Sequence, residues 1–251
     1  MLFVGSRLVN LCNRCASSFS QATGSQRQLL DGTQATAEDL RFVDTKSHWD
    51  RVYRIEQPDE VSWYRPHLEI SLQLMEDAAP NHNAQIIDVG AGESTLVDDL
   101  IAREYRNVYV LDVSSMALEV AKGRLGASAN QVAWVCGDVT TFGFSRYQFD
   151  VWHDRAVFHF LTDSKDRVAY VRQVAHAVKP GGHVIVATFG PEGPTQCSGL
   201  DVVRYGPESL HDEFGTQFRL VKHLTELHQT PVGSIQQFTY CYCNTSSSGL
   251  C

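Results

Sequence analysis

Three acidic residues, Asp88, Asp112 and Asp138, stand at the ends of three short apolar runs, and Gly90 and Gly92 follow the first of them. The segment Ile86-Ile87-Asp88-Val89-Gly90-Ala91-Gly92-Glu93-Ser94 reads as a buried strand that turns into a helix capped at Ser94. Glycines in such a turn can take positive φ and, without a Cβ, let a ligand approach the backbone. Ligands of parallel sheets sit at the carboxyl ends of the strands, beside the first helix N-terminus. Asp112 lies 20 residues after Gly92, where a carboxylate can accept both hydroxyls of a ribose; Val113 can lie against a base. Asp138 can accept from an exocyclic amine, and Val139 can cover an apolar ring. Each feature alone is a turn or a cap, but three successive strands ending this way is a pattern. A dinucleotide fingerprint needs a third glycine at G-x-G-x-x-G; that position is Thr95, which argues against a nicotinamide oxidoreductase.

A second group follows the fourth apolar run: His153, Asp154, Arg155 and His159. A neutral His can take a proton from an attacking nucleophile, so His159 is a candidate base. The alternative is a structural histidine. Asp154 or Arg155 can instead orient a charged end of a ligand or an acidic substrate. The loop Gly190–Leu200 is Gly- and Pro-rich, and such loops form binding walls. Its Cys197 is either a thiol near substrate or a small buried hydrophobe. Tyr205, His228 and Gln236 are further polar candidates. No metal site is expected: Cys12 and Cys15 form a C-x-x-C with no second pair at zinc spacing.

The elements that must position these residues alternate. Strands are predicted over 85–89, 107–112, 132–136, 147–153 and 183–189, with a closing pair at 218–228 and 236–242. Helices are predicted over 47–53 with Ser47 as N-cap, 67–78 opened by Pro66, 95–105, 115–126, 163–178 and 208–214. Lys179-Pro180-Gly181-Gly182 ends the long helix before the fifth strand. Alternation of this kind implies an α/β fold, a parallel sheet with helices on both faces. The last two strands form an edge hairpin, one strand of it antiparallel to the rest. Cys241 and Cys243, two apart in a strand, share a face.

The chain has 251 residues, enough for one domain and an extension. Residues 1–44 read as an N-terminal extension, 45–244 as the domain and 245–251 as a tail. Arg7, Arg14 and Arg27 precede the first acid, Asp31, among several serines. That composition suits either a mitochondrial transit peptide within residues 1–30 or a plain tail of a cytoplasmic protein. The formal charge of −8 argues against a nucleic-acid partner, and no apolar run approaches the roughly eighteen residues of a membrane span. Seven cysteines spread over the chain suit reduced thiols.

The set Asp88-Val89-Gly90-Ala91-Gly92, Asp112, Gly137-Asp138-Val139 and Lys179-Pro180-Gly181-Gly182 resembles the class I S-adenosylmethionine-dependent methyltransferases over residues 47–243. The resemblance implies a Rossmann-like three-layer α/β/α sandwich, with a seven-stranded, mostly parallel sheet whose last strand is antiparallel. It implies S-adenosylmethionine as cofactor and S-adenosylhomocysteine as product. Gly90 and Gly92 would abut the methionyl part, and Asp88 and His153 would also belong to the cofactor site. Asp112 and Val113 would take the ribose and base edge, and Asp138 and Val139 the adenine. His48-Trp49-Asp50-x-x-Tyr53, followed by Trp63, is similar to a subset that includes enzymes acting on the lysines of elongation factor 1A. There the opening helix covers the cofactor, so Trp49, Tyr53, Trp63 and Tyr64 would form a lid, with Arg155 and Cys197 toward the substrate. Those lysine enzymes carry Asp-Lys-Gly-Thr after the fourth strand; this chain has His153-Asp154-Arg155-Ala156. The Asn-Pro-Pro-Tyr of enzymes acting on amide or base nitrogens is absent. A small-molecule acceptor is therefore preferred, a protein lysine is the alternative, and a non-catalytic S-adenosylmethionine-binding module is the reading from another class.

Overall fold

The computed structural model describes the backbone of residues 37–246 and the side chains from Asp44. The targeting or tail reading of residues 1–30 and the Cys12/Cys15 pair lie outside the described residues, as does the tail beyond Ser246. Helix α1 (Ala37–Ile55) begins well before the expected 47–53, so it crosses the boundary drawn at 45, and Ser47 lies inside it. The other helices are α2 (Glu69–Ala78), α3 (Leu96–Ala102), α4 (Ser115–Leu125), α5 (Ser164–Ala177) and α6 (Pro207–Phe214). Helix α2 starts three residues after Pro66, so that proline lies outside its first turn. Asp163 caps α5 by accepting from Lys165 N at 2.9 Å, a side-chain replacement for the missing intrahelical acceptor.

Seven strands form one sheet: β1 (Gln85–Val89), β2 (Asn107–Asp112), β3 (Val132–Cys136), β4 (Phe149–Arg155), β5 (Val178–Phe189), β6 (Phe218–Gln229) and β7 (Ile235–Thr245). Their order is β3-β2-β1-β4-β5-β7-β6. The first five are mutually parallel, and β7 runs antiparallel to both β5 and β6. The Rossmann-like sheet expected from the resemblance is thus present, with β7 as the inserted antiparallel strand. Lys179-Pro180-Gly181-Gly182 is not a loop: β5 takes it in and pairs Val178 with Phe149. A short ribbon, Gln196–Cys197 against Leu200–Asp201, follows β5.

Strand periodicity divides the core. Ile86, Ile185, Ala187, Phe238 and Tyr240 face α2 and α3, in one apolar cluster. Their neighbours Ile87, Val89, Val184, Val186, Cys241 and Cys243 face α5 and α6 in the other. A period of two puts successive side chains on opposite faces, and both faces here are covered. Cys241 and Cys243 share a face as expected, with their Sγ atoms 3.5 Å apart. No helix among the described residues is long and apolar enough to cross a membrane.

Candidate functional site

The β1–α3 turn sets the site. β1 ends at Val89, and Gly90 turns the chain at φ +61° while its N–H donates to Leu111 O at 2.7 Å. Gly92 takes φ +52° and donates its N–H to Asp112 Oδ2 at 2.7 Å. No other residue type fits either place. A Cβ on Gly90 would lie 1.8 Å from Val157 Cγ2, and one on Gly92 would lie 2.2 Å from the Tyr53 hydroxyl. The second contact is informative, because Tyr53 belongs to α1: the opening helix lies against the glycine turn.

A cavity of about 360 Å³ opens at the carboxyl ends of β1, β2 and β4. Asp88, Gly90, Asp112, Val113, Asp138, Val139, His153, Trp63, Tyr64, Arg155 and Cys197 all line it. Gly92 does not; Tyr53 covers it, and its part is the N–H given to Asp112. Asp112 also accepts from Ser114 N at 2.7 Å, through Oδ1. Burial pushes its pKa up to about 6, against the two N–H bonds, which favour the anion. Asp138 Oδ1 accepts from Thr140 N at 2.8 Å and Thr140 Oγ1 at 2.7 Å. Asp88 sits opposite His153 in the β1/β4 register. Its Oδ1 bonds His153 Nδ1 at 2.7 Å, and His153 Nε2 bonds Ser71 Oγ at 2.9 Å. With both ring nitrogens engaged, His153 orients Asp88. The other carboxylate oxygen, Asp88 Oδ2, is buried without a partner, and such an oxygen calls for a donor.

The cap is aromatic. Trp49 lies 5.9 Å from Tyr53, 6.1 Å from Trp63 and 5.1 Å from Phe160, ring centre to ring centre. The Trp63 and Phe160 contacts are edge-to-face and the Tyr53 contact is tilted, and edge contacts add to apolar burial. Polar bonds fasten α1 to the β2–α4 turn: Ser114 Oγ donates to Asp50 Oδ1 at 2.6 Å, and Lys46 pairs with Asp50 and donates to Ser115 Oγ at 3.0 Å. Ser114 thus touches both α1 and Asp112.

The two residues expected to be catalytic are not at the cavity. Asp154 is 0% exposed. Its carboxylate accepts from Val157 N at 2.9 Å, Phe158 N at 3.1 Å and Tyr170 OH at 2.6 Å. It holds the turn after β4, and burial lifts its pKa to about 6. His159, also 0% exposed, packs on Phe160 and Phe189 and accepts Phe189 N at Nδ1, 3.1 Å. Burial, aided by Arg155, drives its pKa down to about 3, so the ring is neutral, and it does not line the cavity. The residue types that suggested a base belong to a turn packed under the sheet tips. Tyr205, His228 and Gln236 do not line the cavity either. Burial raises the Cys197 thiol to about 11, so it is present as the thiol.

Residues missed from the sequence include Glu93, Arg65 and Phe160, all lining the cavity. Glu93 stood in plain view beside Gly92. Arg65 and Phe160 carried no spacing signal, since the fold brings them in from separate loops.

A family model described as a methyltransferase domain matches residues 86–182. The chain is 27% identical over 235 residues to a ubiquinone biosynthesis O-methyltransferase of Serratia proteamaculans, covering 86% of this chain and 90% of that protein. It is 22% identical over 138 residues to the mouse (Mus musculus) eEF1A lysine and N-terminal methyltransferase, covering 55% of this chain and 19% of that one. The structure of the N-methyltransferase NodS from Bradyrhizobium japonicum, in complex with S-adenosylhomocysteine, superposes with a TM-score of 0.61 at 15% identity, over 80% of this chain and 98% of that one. With the glycine turn, the strand-end carboxylates and the inserted antiparallel β7, these similarities support the class I S-adenosylmethionine-dependent methyltransferase superfamily, whose fold this chain shares.

Proposed function

We propose that the cavity binds S-adenosylmethionine and transfers its methyl group to a small molecule. The residues fit the cofactor. Asp88 Oδ2, buried and unpartnered, suits the methionine ammonium. Asp112 suits the ribose hydroxyls; Val113, Val139 and Asp138 suit the adenine. When bound, the sulfonium supplies an already activated methyl group. The chain's own part is then to bind, to align an acceptor and to exclude water. Asp88 holds one end of the donor through an orientation set by His153 and Ser71. Trp49, Tyr53, Trp63 and Phe160 supply an aromatic wall to the same cavity.

The observation that carries the small-molecule reading is that aromatic cap over a cavity of about 360 Å³. A peptide acceptor needs a groove through which a chain can pass. The full-length similarity to an O-methyltransferase of ubiquinone biosynthesis points the same way. A protein lysine is the second reading, favoured by the partial similarity to the elongation-factor enzyme. Incubating the protein with methyl-labelled S-adenosylmethionine and whole-cell extract separates the two. Label is expected in the low-mass fraction; label confined to protein would reverse the preference.

No general base is assigned among the residues at the cavity. His159→Asn, which keeps an acceptor for Phe189 N, is expected to alter kcat by less than about tenfold, where loss of a catalytic base costs about 10²–10⁴. Turnover of the folded variant on any identified acceptor checks this, and a drop of a thousandfold would restore His159 to the mechanism.

A further inference from the structure

Glu93 is a buried carboxylate without a partner. The residue lines the cavity and is 6% exposed, and neither Oε1 nor Oε2, both buried, has a hydrogen-bond partner. A buried charge left in this way is costly unless a ligand completes it. The nearest guanidinium does not do so. Arg124 gives NH1 to the Glu93 main-chain oxygen at 2.9 Å, NH2 to Ser94 O at 2.7 Å, and Nε and NH2 to the Asp98 carboxylate at 3.0 and 2.7 Å. Asp112 on β2 and Tyr53 on α1 face the same space. Burial foremost, then the Asp112 charge, lifts the Glu93 pKa to about 7, while Arg124 opposes. Tyr53 is raised well above its ordinary value by burial, then by Asp112 and Glu93.

The methyl donor and its product differ by one charge. The sulfonium is a cation; once the methyl has left, the thioether is neutral. The ammonium, carboxylate, ribose and adenine are common to both. A partnerless carboxylate buried in protein senses that difference more strongly than one in bulk water.

We propose that Glu93 sets the preference of the cavity for the sulfonium donor over its thioether product, by charge and not through contact with the adenosyl group common to both. This rests on reading the cavity as the S-adenosylmethionine site. Product release is favoured because the step that consumes the sulfonium removes the charge Glu93 was balancing.

Calorimetric titration of the intact chain with S-adenosylmethionine and with S-adenosylhomocysteine tests it. Wild type is expected to favour the donor. In Glu93→Gln the ratio of the two dissociation constants is expected to shrink by roughly tenfold, through weaker donor binding alone, and Glu93→Asp is expected to recover most of it. Equal weakening of both ligands would overturn the proposal, since Glu93 would then contact a shared group. Unchanged affinities would overturn it too. Wild type that binds neither ligand would instead bring down the cofactor reading itself. If Glu93→Gln does not fold, wild type alone supplies a second measurement. At pH 7, a donor that favours the Glu93 anion must release protons on binding, visible as a buffer-dependent heat, and the product must release fewer. The same proton count for both ligands would refute the proposal.

Discussion

Asp112→Ala is expected to weaken binding of S-adenosylhomocysteine by about a hundredfold or more. Two losses combine. A hydrogen bond to a charged acceptor contributes about 1.5–3 kcal/mol, and the proposed ribose offers two hydroxyls. The carboxylate also organises the turn, because Gly92 N and Ser114 N each donate to it at 2.7 Å. Truncation leaves both N–H groups unpaired in a buried place, and it slackens the Ser114–Asp50 link to α1. Asp112→Asn separates these effects from simple loss of volume. An amide has one acceptor oxygen, so its NH2 must face one of the two backbone donors. The asparagine variant is therefore expected to lose at least about tenfold, where an isosteric change at an ordinary carboxylate would cost little. Isothermal titration with the product measures both variants. Affinity unchanged in Asp112→Ala would remove Asp112 from the site.

The contrast between what was and was not legible in the sequence follows from where each signal resides. Asp88, Gly90, Asp112 and Val139 are read from strand ends, and a strand end is local in sequence: an apolar run, then a turn residue. The parallel sheet followed from alternation and the closing pair from its hairpin pattern, while the place of β7 between β5 and β6 was implied by the resemblance and not by any local signal. Helix α1 was half legible. Its aromatic stripe at Trp49 and Tyr53 was visible, but residues 37–46 carry no apolar face strong enough to announce another ten residues of helix. Its attachment to Ser114 and Ser115 spans more than sixty residues and leaves no periodic trace. His159 and Asp154 failed for the opposite reason. Their types suggested chemistry, yet Tyr170 from α5 and Phe189 from β5 engage them in the core. Titratable side chains near a cleft are as readily consumed by capping a turn as by catalysis, and only the packing of distant elements decides.

Glu226→Leu is expected to destabilise the folded chain by about 3–5 kcal/mol, the range for breaking a buried ion pair from one side, and to lower Tm by roughly 10 °C. Glu226 on β6 lies under the cavity wall and serves two guanidiniums. Arg65 NH2 donates to Oε1 at 3.1 Å, and Arg155 NH2 reaches Oε2 at 3.5 Å. Tyr240 donates its hydroxyl to Oε2 at 3.0 Å and accepts Arg155 Nε at 3.1 Å. Arg155 is hardly exposed, its side chain at 5%, and it lies over the Phe238 ring at 4.2 Å. Without Glu226 it is a buried cation with no counter-charge. Arg65, at 29%, can turn toward solvent, so the penalty falls mainly on Arg155. Arg155→Met combined with Glu226→Leu is therefore expected to recover much of the loss, since an apolar replacement of both partners removes the desolvation cost along with the attraction. The exposed pair Lys122–Glu119 serves as the reference: Glu119→Gln is expected to cost under about 1 kcal/mol. Thermal and denaturant unfolding of the three variants measures the differences. If Glu226→Leu is no worse than Glu119→Gln, the network does not hold the wall. Both arginines line the cavity as well as clamping Glu226, so the carboxylate that stabilises the sheet edge also fixes where two positive charges face the ligand space.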